Sequence, residues 1–113
     1  PSSVELIATG VFSDCSNLMS VVIPKSVRSI YSSAFAGCRN LESVIIPNSV
    51  TLICEGAFYG CENLKSILIP KSVRSINDYT FRGCRNLTAR IFSMLITELF
   101  CSSECVSNLP AIF

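Results

Sequence analysis

With 113 residues, half of them apolar, the chain holds material for one domain and is too hydrophobic for a disordered segment. Its net charge of +1, with nine basic residues spread along the sequence, gives no attraction to nucleic acid or to an anionic membrane. The absence of histidine removes Ser-His-Asp triads, Cys-His pairs and histidine metal ligands in one step.

The chain opens on Pro1 with no signal-like segment and reads as a piece of a longer or processed protein. Pro1 is already in register with Pro24, Pro47 and Pro70, so the first coil of a repeat starts there without a distinct cap. The repeat is clearest in the motif Phe-x-x-Cys-x-Asn-Leu. Phe12, Phe35, Phe58 and Phe81 recur every 23 residues, as do Cys15, Cys38, Cys61 and Cys84, and Asn17, Asn40, Asn63 and Asn86. A fixed interval shared by several residue types is the mark of a solenoid, in which each coil stacks on the next.

Within one repeat, Leu41 to Pro47 reads as a short strand stopped by proline, which cannot donate to a sheet ladder. Alternation turns Val44 and Ile46 inward, with Val21, Ile23, Ile67 and Ile69 as their equivalents, and turns Ser43 and Ile45 outward. Ser49 to Ile53 is a second, half-buried extended segment. Gly10 and Gly56 share one row, and Gly37, Gly60 and Gly83 another, which predicts turns with backbone angles that favour glycine. Between the rows, Ala34-Phe35 and Ala57-Phe58 read as a single helical turn that drops a phenylalanine into the core. Strands of successive coils are expected to pair in parallel about 4.8 Å apart, with right-handed connections.

Charges test that stacking. Arg39, Glu62 and Arg85 alternate in sign along one row, Glu42 falls beside Lys65, and Glu5 beside Arg28, whereas Glu55 and Asp78 are like charges in one row. Pro24 to Ile30 is identical to Pro70 to Ile76, which points to duplication of a two-repeat unit. After Leu87 the pattern fails: Arg90 takes an inward position and Ser93 replaces the proline. Ile91, Phe92, Leu95, Ile96, Leu99 and Phe100 suit one face of a helix. Residues 1–92 are therefore assigned to the solenoid, and 93–113 either to a helical cap or to a degenerate last repeat. The apolar run from Ile91 to Phe100 is interrupted by Ser93, Thr97 and Glu98 and is far short of the roughly 20 residues a membrane-spanning helix needs.

The segments Ala34 to Ile53 and Ala57 to Ile76 follow Ala-Phe-x-x-Cys-x-x-Leu-x-x-Val-x-Ile-Pro-x-Ser-Val-x-x-Ile, with Ile67 in place of the valine in the second. This pattern resembles the BspA-like leucine-rich repeats. The resemblance covers residues 1 to about 92, with Thr80 in place of the alanine in the last full motif. It implies a curved solenoid with one short parallel strand per 23-residue repeat on the concave face, and extended or helical-turn segments on the convex face. It also implies a surface antigen or adhesin that binds host or neighbouring-cell proteins, and it carries no catalytic motif.

The best functional candidate is the outward strand row. Val22, Ile45 and Leu68 are expected to form an apolar stripe flanked by Ser20, Ser43 and Ser66, suited to a peptide or a protein edge. The competing structural reading is that aliphatic residues suit strands wherever they point. The cysteine row reads most simply as small buried thiols, against disulfide, redox or metal readings. Cys101 and Cys105 are a candidate pair in the tail. The asparagine row is expected to hydrogen-bond turn backbone that would otherwise be buried without partners. Arg28 and Arg74, with Lys25 and Lys71 nearby, form a basic row that is either a solvated convex face or a site for an acidic partner or glycan. Tyr59 beside Arg82 is a candidate cation–π pair.

The chain is thus expected to be a protein-binding module without enzymatic activity, cofactor or metal, located at the cell surface. The alternative is a cytoplasmic spacer of a longer array with no ligand of its own. An open edge of parallel strands also leaves end-to-end self-association possible.

Overall fold

The computed structural model describes residues 3–74, 76, 79–87 and the backbone of 89–92. Among these residues seven strands follow in order: β1 (Leu6–Ile7), β2 (Ser20–Val22), β3 (Ser29–Ile30), β4 (Ser43–Ile45), β5 (Leu52–Ile53), β6 (Ser66–Ile69) and β7 (Ala89–Phe92). They are sorted into two parallel sheets, β2-β4-β6-β7 and β1-β3-β5. Each neighbour is one repeat away: Val21 pairs with Val44 and Val44 with Ile67, while Ile7 pairs with Ile30 and Ile30 with Ile53. A single bridge from Ile53 to Ile76 carries the smaller sheet onward. The solenoid is therefore confirmed, with one addition. The second extended segment of each repeat is itself paired, so a coil contributes to two sheets rather than one.

The core lies between the sheets. Val44, Ile46, Ile67 and Ile69 enter it from one side, Ile30, Ile53 and Ile76 from the other, and Val27, Val50 and Val73 follow the proline turns into it. The phenylalanines form a column. Ring centroids are 5.3 Å apart for Phe12 and Phe35, 5.4 Å for Phe35 and Phe58 and 5.9 Å for Phe58 and Phe81, with planes within 15° of parallel. Offset stacking of this kind adds about 0.5–1.5 kcal/mol per pair beyond burial.

The segment that carries each phenylalanine is a chain of tight turns. Cys38 N donates to Phe35 O at 3.3 Å and Leu41 N to Cys38 O at 3.2 Å. The same turn segment also ladders between coils, with Phe35 N donating to Ala57 O at 2.8 Å and Gly37 N to Tyr59 O at 2.7 Å. All five glycines have positive φ. The rows are completed by Asp14 (φ 61°) and Ser33 (φ 57°), which keep the same turn geometry without glycine.

One expectation needs correction. Ile91 and Phe92 were placed on a helical face, yet Ala89–Phe92 is a strand paired with β6 in the register Ile67 to Arg90 and Ile69 to Phe92. The open edge of β6 supplies backbone partners, and satisfying them outweighs the helical spacing of the side chains. The remaining cap residues and the Cys101–Cys105 pair lie outside the described residues, as does Asp78 of the like-charge row.

Candidate functional site

The larger sheet presents its outward positions as rows across the coils. Ser20, Ser43 and Ser66 are register partners, and so are Val22, Ile45 and Leu68. All six residues are exposed. The aliphatic row is bare to an unusual degree: Val22 is 70% exposed, Ile45 60% and Leu68 52%. Alternation along each strand produces this, because the inward neighbours fill the core and leave the intervening side chains facing out.

The borders of the face differ. At the N-terminal ends of the strands lie Met19, Glu42 and Lys65, all exposed and of mixed character. Sequence reasoning passed over Met19, whose exposure completes the apolar surface beside β2. At the C-terminal ends, Pro47 and Pro70 stop the strands, and Lys25, Asn48 and Lys71 follow, also exposed. A cleft of about 610 Å³ lies there, lined by Leu68, Pro70, Lys71 and Ser72 with Pro47 and Asn48 of the preceding coil. Three residues further along the same coils stand Arg28 and Arg74, also exposed, Arg28 directly before β3. Among the described residues none of these four cations is in an ion pair. Lys71 of the basic group thus shares a cleft with Leu68 of the apolar stripe. The rows were visible in the sequence, but the cleft between them exists only because adjacent coils are set side by side.

The other candidates resolve into structure. Cys38, Cys61 and Cys84 are buried, Cys15 and Cys54 half-buried, and all five are free thiols. Three of the four row thiols donate to the phenylalanine carbonyl of the preceding coil: Cys38 to Phe12, Cys61 to Phe35 and Cys84 to Phe58, all at 3.1 Å. That carbonyl already accepts the amide of the cysteine in its own coil, as Phe35 O does from Cys38 N. The thiol thus occupies a second lone pair that would otherwise be buried without a partner. Burial pushes the Cys38 and Cys54 thiols up; at Cys61 the neighbouring Cys84 thiol acts first and burial second, again upward. Thiols so protected are poor nucleophiles and poor metal ligands. Among the described residues no group of three or more Cys, Asp or Glu gathers as metal ligands.

The asparagine row also joins coils. Asn40 Nδ2 donates to Ser16 O at 2.7 Å and Asn63 Nδ2 to Arg39 O at 2.8 Å, whereas Asn86 Nδ2 reaches Asn63 Oδ1 at 3.1 Å. These bonds are on the surface, so the asparagines bridge neighbouring turns and do not rescue buried backbone. Arg85 and Glu62 form the expected cross-coil pair at 3.7 Å. Arg82 does lie over a tyrosine, but the ring it covers, 4.2 Å away, is Tyr79 and not Tyr59. Tyr79 precedes it by three residues in the same turn, a shorter reach than the neighbouring coil. Among the described residues no helix is long and apolar enough to cross a membrane.

Compared with known proteins, the chain matches the BspA type leucine rich repeat region over residues 1–109, in 6 copies. The solved structure of a T. pallidum leucine rich repeat protein is 33% identical with a TM-score of 0.80, the match covering 88% of this chain and 46% of that one. A leucine rich cell surface protein from Faecalibacterium prausnitzii is 34% identical with a TM-score of 0.66, over 87% of this chain and 32% of its own. The chain spans less than half the length of either. No curated protein matches it in sequence.

Proposed function

The chain belongs to the BspA-type leucine-rich repeat family, and on that premise we propose that it is an interaction module of a cell-surface protein that binds a protein partner through its strand face. Repeat scaffolds of this kind are generally non-enzymatic, and no enzymatic family is indicated for this one. The observation that carries the reading is the register-aligned row of Val22, Ile45 and Leu68, exposed by half or more beside the parallel row of Ser20, Ser43 and Ser66. Water contact with such a row is unfavourable, and a partner that covers it gains roughly 25 cal/mol per Å² of apolar surface. The strand-face residues assigned to the contact are Ser20, Val22, Ser43, Ile45, Ser66 and Leu68.

Peptides selected from a random display library on the wild-type protein are expected to bind the Ile45→Glu/Leu68→Glu double variant at least about tenfold more weakly, since two aliphatic contacts are replaced by charges. Its melting temperature should stay close to that of the wild type, because both side chains face solvent. Unchanged affinity in the folded variant removes the strand face from the reading.

A second reading, a spacer within an intracellular array, is favoured by one observation: the five described cysteines are all free thiols, a state suited to a reducing compartment. A membrane-impermeant label applied to intact source cells separates the two. Tagging before lysis supports the surface reading, and tagging only after lysis supports the spacer.

A further inference from the structure

Resting on the strand-face reading, we propose that the occupant is an acidic amphipathic α-helix lying across the strands, its aliphatic ridge on Val22, Ile45 and Leu68 and its carboxylates turned toward Lys25 and Lys71. The first argument is spacing. Adjacent strands are about 4.8 Å apart, so the stripe offers one aliphatic contact about every 4.8 Å, or about 9.6 Å from Val22 to Leu68. A helix places a residue on one face about every 5.4 Å, or about 10.8 Å over two turns, a mismatch of about 1 Å. An extended segment repeats about every 6.8 Å on one face and drifts from the same stripe by about 4 Å over that span. The row thus has the pitch of a helix ridge, recognised through residues at i, i+3 or i+4, and i+7.

Charge is the second argument, and it gives the helix a defined flank. Beyond the C-terminal ends of the strands the exposed row is Lys25, Asn48 and Lys71, followed three residues on by Arg28 and Arg74, and among the described residues none of these cations is in an ion pair. The opposite border, Met19, Glu42 and Lys65, is mixed in sign. Lys25 and Lys71 belong to coils two steps apart, again about 9.6 Å, which matches carboxylates two helical turns apart. The cleft between Leu68 and Lys71, lined by Pro47, Asn48 and Pro70, leaves room for an acidic side chain beside the aliphatic contact. A partner basic on that flank meets the like charges of Lys25 and Lys71 and is disfavoured, which is how such borders set specificity.

The probe is a displayed library on a helical peptide scaffold, with Leu fixed at i, i+4 and i+7 and both flanks randomised, panned on the folded full chain. Enrichment of Asp or Glu on one flank at positions seven apart is expected. The selected helices should lose about threefold to tenfold in affinity for the Lys25→Glu/Lys71→Glu variant, with most of that difference gone in high salt. Panning on that variant should select Lys or Arg instead. Flanks without charge preference, or equal binding by an isomer broken with a central proline, overturn the acidic-helix inference. So does a library that enriches nothing. If clones are enriched but bind the Ile45→Glu/Leu68→Glu variant undiminished, the underlying strand-face reading falls as well. Loss in that variant without charge preference leaves the reading standing and the inference overturned.

Discussion

At the scale of single residues, the repeat explains its own exceptions. Thr80 sits fully buried where the preceding coils have Ala34 and Ala57, and its Oγ1 has no hydrogen-bond partner among the described residues. An unmet buried hydroxyl costs about 1–3 kcal/mol, more than the roughly 0.8 kcal/mol its extra carbon returns by burial. Thr80→Ala is therefore expected to stabilise the protein by about 1 kcal/mol, read as a higher melting temperature or urea midpoint. The thiols give a second prediction. Cys15 and Cys54 should react first with a thiol reagent, whereas Cys38, Cys61 and Cys84 should wait for unfolding. The folded thiols keep protons that unfolded thiols release, because their ionisation is raised above the ordinary value of 9.0. This stabilisation is fully present below about pH 9 and is lost as pH rises further, since the unfolded state then binds fewer protons. A melting temperature that holds between neutral pH and pH 9 and then falls is the expected profile; one that rises above pH 9 contradicts it.

At the scale of the element, the turn rows test how closely coils approach. Gly10 (φ +64°) has open space where a Cβ would stand, so Gly10→Ala costs only the left-handed backbone, about 1 kcal/mol. Gly83 (φ +82°) differs, because a Cβ there would lie 3.2 Å from Gly60 Cα and 3.3 Å from Gly60 N, atoms that cannot rotate away. Gly83→Ala is expected to cost about 2 kcal/mol or more, and denaturant melts of the two variants rank them directly. Equal losses would mean that the coils separate easily at the turns.

For the whole molecule, stability runs along the stack from neighbour to neighbour. Phe58 is fully buried between Phe35 and Phe81, whereas Phe12 has one stacked neighbour and is 38% exposed. Phe58→Ala should cost about 3–5 kcal/mol, the range for a large cavity in a packed core, and Phe12→Ala distinctly less. Urea midpoints of the pair measure that gradient. A similar loss at both sites would show that the first coil is packed as firmly as the interior. The same one-dimensional order makes the strand face useful: a change on its outward rows alters the surface without entering the core.

Much of this architecture was legible in the sequence because the repeat is a register. Once Phe, Cys, Asn and Leu recur together, strand pairing, inward and outward faces, the phenylalanine column and the exposed Val22-Ile45-Leu68 row follow from period-two alternation and stacking alone. Other features depended on distances between coils. The thiol's bond to a carbonyl 26 residues earlier, the second sheet through Leu6–Ile7, Ser29–Ile30 and Leu52–Ile53, and the cleft between Leu68 and Lys71 are set by backbone geometry that no residue pattern encodes. Arg82 chose the ring within its own turn, and Ala89–Phe92 took the sheet edge despite helical spacing, because in both cases the nearest available partner decided. The sequence by itself determined the solenoid and its exposed rows, since identical residues in neighbouring coils must occupy equivalent places. Only the tertiary structure decided which rows touch, because contact depends on how closely the coils stack.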